Sequence, residues 1–190
     1  MGDALVDRLR LKFPELTRRL EGQPRDVVRA ELPFYRRHAL VTLTIQTPLP
    51  QVLYFLDDGV QLYTLLGDAD LAAANARERL QLVPQHAEAY ARFALRHGLR
   101  VEPVERPDHL LWYSDADENP ELRERKEAAI RALRPLRVVM SPEGGFEVTA
   151  VIRAGRSLSE HRYRLTLGGV LERRGQQVVA EDVPASAPMR

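Results

Sequence analysis

Leu53-Tyr54-Phe55-Leu56-Asp57-Asp58-Gly59-Val60-Gln61-Leu62-Tyr63-Thr64-Leu65-Leu66 decides the fold. Four apolar and aromatic residues lead in. Asp57-Asp58-Gly59 is a turn signal, because Asp-Gly accepts the positive φ of a tight hairpin. Val60 to Leu66 then returns as a strand. Gly67-Asp68 ends it, and a helix opens near Asp70. The pattern predicts a β-hairpin feeding two helices, 69–82 and 85–97. In the second helix Ala87, Tyr90, Ala91, Ala94 and Leu95 make one apolar stripe, and Gly98 suits the C′ position beyond it.

Upstream, Val41, Leu43 and Ile45 alternate with Thr42, Thr44 and Gln46, the pattern of a half-buried strand. The charge-free run Ala39–Leu56 approaches the length of a membrane span. Thr42, Thr44, Gln46, Thr47 and Gln51 interrupt it, and Pro48 and Pro50 break it, which favours two strands and a loop. Between Asp3 and Leu20, apolar Leu5, Leu9, Phe13, Leu16 and Leu20 recur at spacings of three and four. Pro14 divides or kinks that helix. Arg25–Glu31 reads as a short second helix stopped before Pro33.

Downstream, two short strands are expected at 99–104 and 109–113. Asn119 caps a further helix, with Pro120 at its first position and Leu122, Ala129, Ile130 and Leu133 on its buried side. From Arg137 onward the chain reads as all-β. Phe146, Val148, Ala150 and Ile152 alternate with polar residues, and turns are expected at Gly144-Gly145, Gly155, Gly168-Gly169 and Arg174-Gly175. The expectation is an α+β fold with antiparallel sheets and helices packed on one face. It would comprise a helix–sheet–helix lobe over 1–134, an antiparallel β meander over 135–183 packed on that lobe, and a disordered tail over 184–190.

With 190 residues and a net charge of +1, the chain is long enough for a sizeable core and offers no global argument for nucleic acid. It has no cysteine, which excludes disulfides, thiolate catalysis and cysteine-based zinc sites. The N-terminus carries Asp3 and Asp7 where a signal peptide carries bases and an apolar run. A soluble, cytoplasmic protein with no membrane partner is expected. Only Lys12 and Lys126 are lysines, a bias that a GC-rich genome explains.

Several motifs begin and then fail. Leu80–Tyr90 resembles the helix junction of a tetratricopeptide repeat, but no second copy follows at the period an array needs. Asp115-Ala116-Asp117-Glu118-Asn119 starts like a calcium loop, yet Pro120 stands where glycine belongs and Lys126 where glutamate belongs. No histidines share the i, i+4 spacing of a zinc helix. Ser114, Ser141, Ser157 and Ser159 lack a nucleophile elbow, and no phosphate-loop glycine pattern occurs. No catalytic constellation, metal site or cofactor is implied.

Two groups remain as candidate binding residues. Asp57, Asp58, Asp68 and Asp70 cluster at strand ends, where converging carboxylates could hold a metal for hydrolysis. Arg162 and Arg164 share one strand face, which could meet RNA or an acidic partner. RNA stacking wants exposed aromatics on that face, and Tyr163 falls on the other.

The element order over residues 3–133 is helix, three strands, a helix pair, two strands and a helix. It resembles the layout of type III secretion chaperones, and the resemblance implies a homodimer that binds extended protein segments. The stretches Tyr63–Leu82 and Tyr163–Pro184 look like bacterial proteins without an assigned function. The leading expectation is a non-enzymatic protein-binding or chaperone-like module with a protein partner. A metal-assisted hydrolase and an RNA binder are the alternatives.

Overall fold

The structure, a computed structural model, describes residues 2–20, 22 and 25–186. The chain is α+β, with two four-stranded antiparallel sheets and, among the described residues, five α-helices. It divides into two compact units, Met1–Leu80 and Gln81–Arg190.

The first unit runs α1 (Gly2–Lys12), α2 (Pro14–Leu20), β1 (Arg25–Glu31), β2 (Ala39–Ile45), β3 (Gln51–Asp57), β4 (Leu62–Thr64) and α3 (Asp68–Glu78). Pro14 opens α2 at the position where a missing N–H costs nothing. The strands lie in sequence order, β1-β2-β3-β4, each antiparallel to the next. Ala39, Val41, Leu43 and Ile45 of β2 are buried and the residues between them half-buried, as the alternation requires. Leu5 and Leu9 of α1 pack on Val41, Leu43, Ile45, Phe55 and Leu62. Each such leucine contributes roughly 1.5–3 kcal/mol when fully buried.

Three local expectations are corrected here. Arg25–Glu31 is a strand, not a helix. Its paired β-branched Val27 and Val28 suit a sheet, and β2 offers it a continuous edge from Arg25↔Ile45 to Glu31↔Ala39. The return strand of the hairpin is confined to Leu62–Thr64, because Asp58 to Gln61 form the turn. Gly59 takes φ +86° within it. Helix α3 stops at Glu78 rather than Leu82, since Arg79 turns left-handed and Leu80 N–H returns to Asn75 O at 3.0 Å.

The second unit contains α4 (Pro84–His97), a 3-10 turn at Pro107–His109, β5 (Leu111–Trp112) and α5 (Pro120–Ala132). Strands β6 (Arg137–Met140), β7 (Phe146–Ala154), β8 (Ser157–Leu165) and β9 (Leu171–Ala180) follow, then β10 (Ala185–Ser186). The sheet order is β6-β7-β8-β9. Phe146, Val148, Ala150, His161, Tyr163 and Leu165 are buried on one face. Val151 and Leu158 point the other way and pack with Val104, Leu110, Ala129, Val183 and Ala185.

The division therefore falls between Leu80 and Gln81 rather than near residue 135. Leu82 N–H donates to Leu167 O at 2.9 Å, and Tyr90 OH donates to Gly169 O at 2.7 Å. Those bonds tie the segment around α4 to the C-terminal strands. The stretch from Pro184 is not all tail, because Ala185 is buried and pairs with Trp112. Residues 187–190 lie outside the described residues.

Gly175 does not turn the chain. Strand β9 runs through it, and Arg174 is the extra residue between the pairs Arg162↔Gly175 and Tyr163↔Arg173, a bulge that absorbs the glycine. Between 99 and 113 only Leu111–Trp112 is a strand, with a single bridge at Pro103↔Ile152. Gly98 stays right-handed at φ −84°, and the left-handed residue is Arg100. Asn119 caps α5 as expected, accepting from Glu121 N–H at 2.9 Å. Ala129 is fully buried, but Ile130 is exposed.

Candidate functional site

The hairpin corner holds the first two expected aspartates, and they face different partners. Asp57 ends β3 on the face covered by α1 and is 1% exposed. Arg8 grips both of its oxygens, Arg29 of β1 donates to Oδ2 at 2.7 Å, and Gly59 N–H donates to Oδ1 at 2.9 Å. Burial alone would raise the Asp57 carboxyl, but Arg8, the Gly59 amide and Arg29 outweigh it and hold it below its ordinary range. Asp58 accepts from the amides of Val60 and Gln61 and from Arg77 Nε at 2.5 Å. Burial again opposes ionisation, yet the Gln61 amide and Arg77 bring Asp58 down to about 2.

Asp70 accepts from the Thr64 hydroxyl, and Asp68 is exposed on the first turn of α3. Asp57, Asp58 and Asp70 thus each answer to a different donor. Among the described residues no three His, Cys, Asp or Glu side chains form a group able to hold a metal ion. The carboxylates act as structural anchors: Asp57 ties α1 and β1 to the hairpin, and Asp58 ties the turn to α3.

Arg162 and Arg164 do share the outer face of β8, while Tyr163 is buried on the inner one. Acids and bases alternate there. Glu147 and Glu172 stand opposite Arg164, Arg162 reaches Glu160 at 3.3 Å, and Arg164 reaches Glu143 at 3.5 Å. Such a face is charge-balanced and carries no exposed aromatic from β8 for a base to stack on.

A buried polar pair in the first unit has no signature in the sequence. Glu78 at the end of α3 accepts from the backbone N–H groups of Arg36 and Arg37, at 2.8 and 3.2 Å. It also meets His38 Nδ1 at 2.8 Å. Burial would raise the Glu78 carboxyl, but His38 and the two amides hold it below its usual range. Tyr35 and Tyr63 flank the His38 ring, and Tyr35 OH donates to Asn75 Oδ1 at 2.5 Å. This pair fastens the β1–β2 connection to α3. Forty residues separate the partners, and no motif links them.

Charged clefts occur in both units. One of about 600 Å³ in the first unit is lined by Arg37, Tyr63, Arg77 and Arg79. One of about 790 Å³ in the second unit is lined by Arg92, Arg96, Arg100, Glu102 and Glu105. In the latter the charges are largely matched. Arg92 pairs with Glu105 at 2.7 Å and Glu88 at 2.9 Å, and Arg96 pairs with Glu102 at 3.5 Å.

The feature most open to a macromolecule is a strand edge. β1 is seven residues long, is exposed along its whole length, and has β2 on one side only. The other sheet edges differ. β4 has three residues, β6 has four, and β9, although seven of its ten residues are exposed, has α5 packed against it. None of the described helices is long and apolar enough to cross a membrane. No protein-family model, curated protein or solved structure matches the chain.

Proposed function

We propose that this chain is a non-enzymatic, chaperone-like protein-binding module of a bacterial cytoplasm, working as a homodimer and binding through the free edge of β1. The exposed edge strand carries this reading. A strand edge displays unpaired N–H and C=O groups that an added strand satisfies, and seven residues offer about 23 Å of pairing. Val28, 60% exposed, and Ala30 project on one side of β1 and could contact a bound segment. Arg25, Asp26, Arg29 and Glu31 restrict pairing to segments of matching charge.

The test is a tagged pull-down at native expression level, followed by amide hydrogen exchange on the recovered complex. Protection of alternate β1 amides is expected. A stoichiometric partner that leaves β1 unprotected, or a chain recovered alone as a monomer, would overturn the reading.

A further inference from the structure

We propose that β1 pairs antiparallel with β1 of a second copy, with Val28 on the two-fold axis, joining two four-stranded sheets into one of eight strands. The proposal rests on the edge-binding reading and names the occupant of that edge.

The register follows from symmetry and charge. A two-fold axis relating antiparallel strands stands perpendicular to the sheet, so every residue keeps its own face. Residues directly opposite each other also share a face, so only residues an even number apart in sequence can meet. Among the registers this permits, one alone pairs all seven residues of Arg25–Glu31. It sets Val28 against Val28, Val27 against Arg29, Asp26 against Ala30 and Arg25 against Glu31.

The same register is the one the charges favour. Arg25 of each copy faces Glu31 of the other, so two opposite-charge pairs form and no like charges meet. A shift of one step toward the N-terminus sets Arg25 against Arg29, and a shift the other way sets Arg29 against Arg29. Like charges directly opposite destabilise a strand pair. Asp57, itself gripped by Arg8, holds the Arg29 side chain on the α1-covered face, and Gln46 holds Asp26 at 2.7 Å, so neither has to be rearranged for the strands to meet. Val28, the more exposed of the two valines of β1, comes to lie against its own copy.

The absence of cysteine gives a direct test. In the full chain, Val28→Cys introduces a single thiol that the proposed register places opposite itself, within reach of a disulfide. Ala30→Cys places its thiols about 14 Å apart along the strands, beyond that reach. Mild oxidation with glutathione disulfide is expected to convert V28C, but not A30C, into a covalent dimer. Light scattering across a dilution series then reads the charges. Arg25→Glu and Glu31→Arg should each weaken the dimer at least tenfold, and the double variant should restore it.

Equal cross-linking of the two cysteine variants, or a double variant no tighter than the singles, would overturn the register. A dimer indifferent to all of these changes would overturn the proposal while leaving β1 open to another protein. A chain that is monomeric throughout, with unprotected β1 amides in any recovered complex, would overturn this proposal and the reading beneath it together.

Discussion

The two sheets of this protein have the same number of strands and the same antiparallel order, yet they secure their long outer strands differently. β1 in the first unit is exposed along its length, and Arg29 ties it to the buried Asp57. β9 in the second unit has α5 packed against it. Val151 and Leu158 of the neighbouring strands are sealed by Ala129, Val183 and Ala185. One edge is tied to a buried ion pair, while the other, with seven of its ten residues exposed, has α5 packed against it and Ala180 set in the apolar cluster around Ala129. An edge held by its backbone ladder to β2 and by the Arg29–Asp57 ion pair keeps its outer N–H and C=O groups open to pairing.

The largest test of that contrast is Asp57→Asn. It leaves Arg8 and Arg29 facing a neutral amide and removes the link between α1, β1 and the hairpin. Breaking a buried pair costs about 3–5 kcal/mol, and the partial exposure of both arginines brings the expected loss to about 3 kcal/mol. Hydrogen exchange resolved by unit should show β1 and β2 amides opening while β7 and β8 keep their protection. Equal loss in both sheets would mean that Asp57 supports more than the first.

The second unit should break instead at backbone. Gly145 closes the β6–β7 hairpin at φ +77°, and a Cβ there would stand 2.5 Å from Leu165 O. Gly155, at φ +60° in the β7–β8 turn, has open space around it. Gly155→Ala therefore measures left-handed strain alone, about 1 kcal/mol, whereas Gly145→Ala adds a clash and should cost about 2 kcal/mol or more. Trp112, the only tryptophan, lies in the second unit and reports its urea midpoint by fluorescence. Equal midpoints for the two variants would remove the clash from the account.

Acid should separate the units by where the loss begins. A carboxyl depressed in the folded state stabilises above its unfolded value and gives up that contribution as pH falls through the folded one. Asp58, moved from 3.8 to about 2, holds about 2 kcal/mol that the first unit loses between about pH 4 and pH 2. In the second unit, burial first and Arg173 second push the His161 imidazole below its usual 6.5. The unfolded chain then takes the proton first, so that unit weakens as pH falls below 6.5. The Trp112-reported midpoint should drop between pH 7.5 and 5.5, and His161→Gln should remove most of the drop.

What was legible in the sequence follows the same divide. The alternation of Phe146, Val148, Ala150 and Ile152 and the turn glycines at 144–145 and 155 marked the second sheet, because local geometry alone writes those signals. β2 and the Asp57-Asp58-Gly59 turn were legible for the same reason. Arg25–Glu31 was misread because four charges and three small or β-branched residues with both faces exposed leave no periodicity; the strand exists through its pairing with β2. The aspartates were found, but their role was not. Whether Asp57 meets a metal or Arg8 depends on a residue 49 positions away. The His38–Glu78 pair was invisible on the same ground.

The smallest effects compare helix starts. α5 begins on Asn119, whose side chain accepts from Glu121 N–H, followed by Pro120. α3 begins on Gly67 with no side-chain cap, although its backbone there is extended at φ 178° and open space surrounds it. Asn119→Ala should cost the second unit about 1 kcal/mol. Gly67→Ser should add a few tenths of a kcal/mol to the first, since serine can reach the orphan amides that glycine leaves to water. The gain is small because Asp68 and Asp70 already place negative charge against the positive end of α3. A Gly67→Ser variant no more resistant to urea would mean that these two carboxylates already satisfy the helix start. Asp68→Asn in the Gly67→Ser background would then expose the serine's contribution as a smaller loss than Asp68→Asn causes alone.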